Sequence, residues 1–404
     1  MLEPRKLFTF EFLGLCVVTF VAICNVTVFY NLFNYLWTLG IPADQGGLVI
    51  GSYSLTAMVL YLLVSPFLTA ANAPRTMLLG MAVVALCGMN YLFIHSFWGL
   101  LGLRMMNGFG QFLMGAGAMT LLVSVIPKAK SGQAFAIYSV AILLPFGAVP
   151  AVMDALAFFI PTPPHGYAGA TVTLIPAVWI VWHIRRRRGE QSGMVERKHI
   201  PAWSDIRANI TQLPVALLLL LNTIYIINWS SMFFLFKGFA DQQGIINVGA
   251  FFTVQMGLMI VLRLLAGRLI DTVDKTRMVM AMFAVIALGH LALDNLPGAW
   301  AIPLVALIFG VGMGMGQPTI HSLMFEVSAP DFRPLNANLM LFSTQAGFFL
   351  GPVLGGALIV RWDYHGYFLF SIGLALAAVF IGIPLAGKRR KILDSRFHGN
   401  DKLR

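Results

Sequence analysis

The stretch Arg263–Arg277 reads R-L-L-A-G-R-L-I-D-T-V-D-K-T-R and stands between two long apolar segments. Its charges fall in two groups around Gly267: Arg263, Arg268 and Asp271, then Asp274, Lys275 and Arg277. Two helices that approach closely at a tight turn need a residue without a Cβ between them. A carboxylate four residues further on, at Asp271, is placed to accept hydrogen bonds from the arginines or from a helix start. The stretch reads as a charged hinge between two helices.

Glycine, then aspartate, then a basic cluster resembles the loop signature of the major facilitator superfamily. There it joins the second and third helices of each six-helix half, so here it would join helices eight and nine. The resemblance implies that Arg263, Gly267, Arg268, Asp271 and Arg277 gate the conformational change. A degenerate copy stands in the first half. A shift of 202 residues sets Gly47 on Gly249, Tyr61 on Arg263, Ser65 on Gly267, Thr69 on Asp271 and Arg75 on Arg277. The same shift sets Gly108 and Gly110 on Gly310 and Gly312. A period of half the chain means duplication, and in transporters it means two bundles around a central site. The first copy has lost the Arg, Gly and Asp of the hinge.

Composition agrees. The 404 residues are 58% hydrophobic and 11% charged, with a mean hydropathy of +0.81. Many apolar runs of about 20 residues belong to membrane proteins. The net charge of +11 would suggest nucleic acid in a soluble chain. Here nearly all Lys and Arg fall in alternate loops, with Lys237 and Arg361 on the other side and Arg104 and Arg263 inside segments. That asymmetry predicts cytoplasmic termini and a topological, not nucleic-acid-binding, role for the charge. Cys16, Cys24 and Cys87 lie in apolar segments without metal-ligand spacing, and they read as small buried hydrophobes. No metal or cofactor is expected. The first apolar stretch is too long for a signal-peptide core and is expected to stay as a span.

The expected fold is an all-α membrane protein of twelve transmembrane helices in two pseudo-symmetric six-helix bundles. Residues 1–184 form the first bundle, 185–213 a cytoplasmic linker, 214–387 the second bundle and 388–404 a basic cytoplasmic tail. Polar residues in the spans mark the candidate site, because amides in a bilayer must find protein or water. On helix one Cys24, Thr27, Asn31 and Asn34 share a stripe. Whether it bridges helices or lines a cavity stays open. On helix four Arg104, Asn107 and Gln111 stand at i, i+3 and i+7 on one face, and Arg104-x-x-x-Gly108 resembles a signature of drug-exporting members. An arginine at membrane depth costs roughly 2.5–3.5 kcal/mol even on the lenient insertion scale and needs a partner. Counted from the turn at 127–132, Arg104 and Asp154 lie at nearly equal depth, which predicts an ion pair. The pair would serve either as proton-responsive coupling or as a permanent bridge.

In the second half, helix seven places Asn222 and Tyr225 on one face, helix eight contributes Gln255, and helix ten sets Gln317 and His321 on one face. Helix eleven contributes Asn338 and Gln345 before Gly351-Pro352-Val-Leu-Gly355-Gly356, a clean Gly-Pro signature of exporting members. Pro145, Gly147 and Pro150 on helix five are a weaker version. His290 and Asp294, at i and i+4, have relay spacing but lie on a peripheral helix. Pro161–Tyr167 reads as a rigid outer turn.

Three functions compete. The first is proton-coupled efflux of a small amphipathic molecule, drug-like or metallophore-like, by alternating access. The second is a nutrient importer on the same fold, and the third a transport-inactive receptor or intramembrane enzyme. The chain has no HExxH, no GxSxG and no clustered carboxylates, which counts against an enzyme. The expected partners are a small-molecule substrate, protons and the lipid of a bacterial inner (cell) membrane, with the chain a monomer.

Overall fold

A computed structural model describes residues 7–64, 67–127, 131–160, 162–189, 203–245, 247–265, 273–329 and 332–400. Without water in the bilayer each spanning segment must satisfy its own backbone, so the chain is helix throughout these spans. The first half is α1 (Phe10–Thr27), which passes through a 3-10 turn into α2 (Leu32–Thr38), then α3 (Ala43–Leu63) and α4 (Ala73–Asn90). It continues with α5 (Phe97–Val125), α6 (Ser131–Ala155), α7 (Pro163–Val172) and α8 (Leu174–Gly189). A short α9 (Trp203–Ile210) precedes the second half, α10 (Leu213–Gln242), α11 (Val248–Leu265), α12 (Lys275–Asp294), α13 (Ile302–Val327) and α14 (Arg333–Asn400). Eleven segments among the described residues are long and apolar enough to cross a bilayer. The last, Leu335–Leu385, is 51 residues long and breaks at Trp362 and Asp363, where Asp363 takes φ +56°. Its two arms bring the crossings to twelve, as expected.

Helix starts follow local chemistry. The Thr9 hydroxyl caps α1 by accepting from Phe12 N at 3.2 Å, and Ser96 caps α5 through Gly99 N at 3.3 Å. Asp274 caps α12, accepting from Thr276 N at 2.9 Å and Arg277 N at 3.1 Å. This helix start is thus capped by Asp274, three residues after the hinge carboxylate Asp271, which itself lies outside the described residues. The stretch Pro161–Tyr167, read as a turn, already enters α7, because Pro163 and Pro164 fill the first helical positions where no N–H partner is needed.

The repeat is realised as packing. A Cβ on Gly47 of α3 would meet Pro352 O at 2.2 Å, and one on Gly249 of α11 would meet Ala151 Cα at 2.4 Å, with Pro150 C at 3.0 Å. Gly47 and Gly249 are repeat partners, and so are Pro150 and Pro352 at the same shift. The two halves therefore meet through one contact used twice, α3 on α14 and α6 on α11. Gly51 against Phe349 O and Gly147 against Phe252 O extend the contact along the helices. An aromatic cluster joins the halves above it. The Phe146 ring lies 4.5 Å from Trp229 and 5.0 Å from Phe233, within one core shared with Phe29 and Tyr30.

Three hydrogen bonds between the halves, Asn34–Asp241, Asp154–Gly249 and Thr253–Gly147, lie at one end of the molecule. That end carries the loops after α2, α6 and α10. The opposite, basic end carries Arg185–Arg188, Arg207, Lys275 and Arg277.

Candidate functional site

A central cavity of about 150 Å³ lies between the halves. α1 supplies Ile23 and Val26, α3 supplies Ile50, Tyr53, Ser54 and Tyr61, and α5 supplies Gln111 and Phe112. The second half closes it with Phe234 and with Gln345 and Phe348 of α14. Its wall is mostly aliphatic and aromatic, with the Gln111 and Gln345 amides and the Ser54 hydroxyl as polar points, a lining of the kind small-molecule sites have. Gln111 Oε1 has no hydrogen-bond partner among the described residues.

At the closed end a second pocket of about 190 Å³ is lined by Tyr30, Asn31, Asp154, Thr162, Tyr167 and Lys237. Asp154 Oδ1 accepts from the Tyr30 hydroxyl, and Oδ2 accepts from Gly249 N at 2.7 Å. Gly249 is the second residue of α11, so the carboxylate of one half binds the positive start of a helix in the other. Beside it the Asn34 amide donates to Asp241, which also pairs with Lys237 at 2.9 Å. Two carboxylates thus fasten this end.

The structure brings together some of the expected site residues and separates others. Arg104, Asn107 and Gln111 share an inward face of α5, and all three are buried, but only Gln111 lines the cavity. The expected Arg104–Asp154 pair is not formed. The Arg104 guanidinium lies 4.5 Å from the Phe29 ring centre and 4.8 Å from that of Tyr53, and donates to Ile50 O at 3.4 Å. Equal depth is not contact: rotation about the helix axes turns Arg104 toward α3 and Asp154 toward α11. Asn31 lines the closed-end pocket rather than the central cavity.

Asn222, Tyr225 and Gln255, expected in the cavity, are buried between helices of the second half. Asn222 is 0% exposed and donates to Ser343 Oγ at 2.8 Å and Thr344 Oγ1 at 3.0 Å. Tyr225 donates to Met313 O, and Gln255 Nε2 lies 3.3 Å from Met313 Sδ. A polar group buried between helices satisfies its neighbours as readily as it would a ligand. Gln345 lines the cavity, Gln317 is half-buried, and His321 and Asn338 are exposed toward the basic end.

Of the hinge, Gly267, Arg268 and Asp271 lie outside the described residues. Arg277 is exposed. Arg263 turns into the second half, where Nε donates to Gly314 O at 3.2 Å beside the Tyr225 hydroxyl. The His290–Asp294 pair is absent: His290 is 0% exposed among Phe309, Tyr367 and Phe368, while Asp294 binds His365 Nδ1 at 2.7 Å. Tyr30, Gly249 and Asp241 were missed, and so were the cavity phenylalanines. The repeat alignment at Gly249 was a signal for the first group; phenylalanine is too common here to single out any one.

Two helical bundles joined by a repeated contact around a central cavity are the architecture of a membrane transporter. The Major Facilitator Superfamily profile matches residues 15–334 and, in a second match, 218–398. The chain belongs to that superfamily and is an integral membrane transporter, not an enzyme. The nucleoside transporter NupG shares the fold at a TM-score of 0.70 and 14% identity, over 93% of this chain and 98% of that one. A peptide transporter POT in complex with sulfate shares it at 0.74 and 14% identity, over 95% and 96%. A curated relative, the uncharacterized protein YqgE of Bacillus subtilis (strain 168), is 33% identical over 134 residues. That match spans 31% of this chain and 30% of the relative.

Proposed function

We propose that the protein exports a small amphipathic molecule, drug-like or metallophore-like, from the cytoplasm in exchange for protons, and that it works as a monomer in a bacterial inner membrane. Basic residues gathered at one end support cytoplasmic termini and a cytoplasmic Arg185–Leu213 segment. The described state is then closed toward the outside, with the exposed His321 and Asn338 on the cytoplasmic side. The helix-four arginine and the Gly-Pro stretch of α14 support the exporting branch.

The observation that carries the coupling is the seat of Asp154. As a carboxylate it holds the start of α11 and keeps the outer end shut. The pocket beside it gives protons a place to reach it from outside. Protonation removes the charge that the helix start attracts, loosens the contact, and lets the outer end open so that substrate leaves. Return to the cytoplasm-facing state releases the proton inward.

The test is substrate flux in proteoliposomes with and without a pH gradient. Wild type accumulates substrate against its gradient only when the pH gradient is imposed, and Asp154→Asn exchanges substrate but no longer accumulates it. Accumulation by Asp154→Asn at near wild-type rate would place the coupling elsewhere.

A further inference from the structure

The central cavity carries its polarity without charge. None of the described residues that line it is an acid or a base, whereas the pocket at the closed end has Asp154 and Lys237 in its wall. The polar groups of the cavity are amides and hydroxyls. Gln111 is 8% exposed and lines the cavity, and its Oε1 has no donor among the described residues. A buried amide oxygen is costly until something donates to it, so this atom favours a ligand with an N–H or O–H. Gln345, on the opposite half, brings a second amide to the same space.

The aromatic walls are held from both halves. Phe146 and Phe348 line the cavity, and each meets the Trp229 ring, at 4.5 and 5.2 Å. Phe112 and Tyr61 meet edge to face at 4.9 Å. A cavity of about 150 Å³ between such walls suits one aromatic ring with a short chain. Arg104 stands outside this lining. Its guanidinium lies 4.8 Å from the centre of the Tyr53 ring and donates to Ile50 O, and both of those residues do line the cavity. A cation already set on the Tyr53 ring engages the π system that would otherwise draw a cationic ligand, and it repels that ligand through the wall. An anion would lose its water without meeting a cation among the lining residues. Both signs of charge are disfavoured, each for its own reason.

We infer that the substrate is an uncharged aromatic molecule bearing a neutral hydrogen-bonding group, such as a primary amide or a lactam. Its ring lies among Tyr53, Phe112, Phe146 and Phe348, and its N–H donates to Gln111 Oε1. Gln111 thereby selects for the neutral group, and Arg104 selects against cations from behind Tyr53. The drug-like or metallophore-like class narrows to its neutral aromatic members. The inference rests on the central cavity as the substrate site but not on the direction of transport or on proton coupling.

The test is equilibrium binding, by calorimetry on the purified full chain in phosphatidylcholine nanodiscs, of three probes with one carbon skeleton: 4-phenylbutyramide, 4-phenylbutyrate and 4-phenylbutylamine. The amide should bind at least tenfold tighter than either charged probe. Gln111→Met, which keeps the side-chain length, should weaken amide binding at least fivefold and change the charged probes less than twofold. Arg104→Gln should narrow the gap between amine and amide at least threefold. Where either variant loses its cooperative thermal transition, the other variant and the wild-type ranking decide. Equal or tighter binding of a charged probe, binding of none of the three, unchanged amide affinity in folded Gln111→Met, or an unchanged gap in folded Arg104→Gln overturns the inference. Gln345→Trp separates this failure from a failure of the site. If it abolishes tight binding of a charged probe, the cavity stands and the neutral class falls; if every probe binds as before, the cavity is not the site and the inference falls with it.

Discussion

Replacing Asp154 by asparagine separates the charge of the outer fastening from its hydrogen bonds. Oδ2 of Asp154 accepts from Gly249 N at 2.7 Å, and Oδ1 accepts from the Tyr30 hydroxyl. Asparagine can keep its carbonyl on Gly249 N and turn its NH2 toward Tyr30, whose hydroxyl accepts as well as donates. The number of bonds survives and only the negative charge at the start of α11 is lost. A charge-assisted bond exceeds a neutral one by about 1 kcal/mol, and the helix start adds roughly 0.3–1 kcal/mol more. The closed-to-open ratio at this end should therefore fall about 9- to 30-fold. Asp154→Ala strands both donors in a half-buried contact and should open it further, by about 1–3 kcal/mol beyond asparagine. The assay is labelling of Ser54→Cys, a cavity position, by an impermeant maleimide in intact cells, with Cys16, Cys24 and Cys87 replaced. The labelling rate should rise in the order wild type, Asn, Ala. Equal rates in all three, or a slower rate in Asn, would refute the idea that the carboxylate fastens the halves.

Asn222→Leu should lower the thermal midpoint, because Ser343 and Thr344 lose a buried partner at a cost of about 1–3 kcal/mol, yet leave substrate affinity within twofold. A large affinity loss without a stability change would return Asn222 to the cavity. Gly47→Val should disturb the α3–α14 contact, since even a Cβ there falls 2.2 Å from Pro352 O. Trapping by a cross-link between residues 43 and 356 should become slower, and unchanged trapping would show that the helices have room. Gln345→Trp should fill much of the 150 Å³ cavity and cut transport of every substrate at least tenfold; unchanged transport would remove this cavity from the pathway. His199→Cys should be labelled only from the cytoplasm, and labelling from outside would invert the proposed topology.

Much of the architecture was legible because membrane physics writes it into composition. Long apolar runs, glycines at close approaches and a 202-residue repeat are local or additive signals, and they carried the expected span count and the two-bundle plan. The repeat also carried more than was taken from it. Gly47 with Gly249 and Pro150 with Pro352 already contained the contact by which the halves meet. The site was less legible. Arg104 and Asp154 sit at equal depth on helices joined by a short loop, yet each faces a different neighbour. Asn222 and Gln345 are both lone amides in apolar helices, and only one lines the cavity.

What sequence alone determined is how many times the chain crosses the bilayer, that its two halves are copies, and which residues are too polar to face lipid. Depth along a helix follows from counting at a fixed rise, so it too was available. Only the tertiary structure decided what each polar group meets. The rotation of each helix about its axis and its choice of neighbour arise from packing of the whole bundle, and no window of sequence encodes them. That is why Asp154 meets the start of α11 instead of Arg104, and why Arg263 turns inward from the end of its helix. A charge in a membrane must be answered, and the fold alone determines by whom.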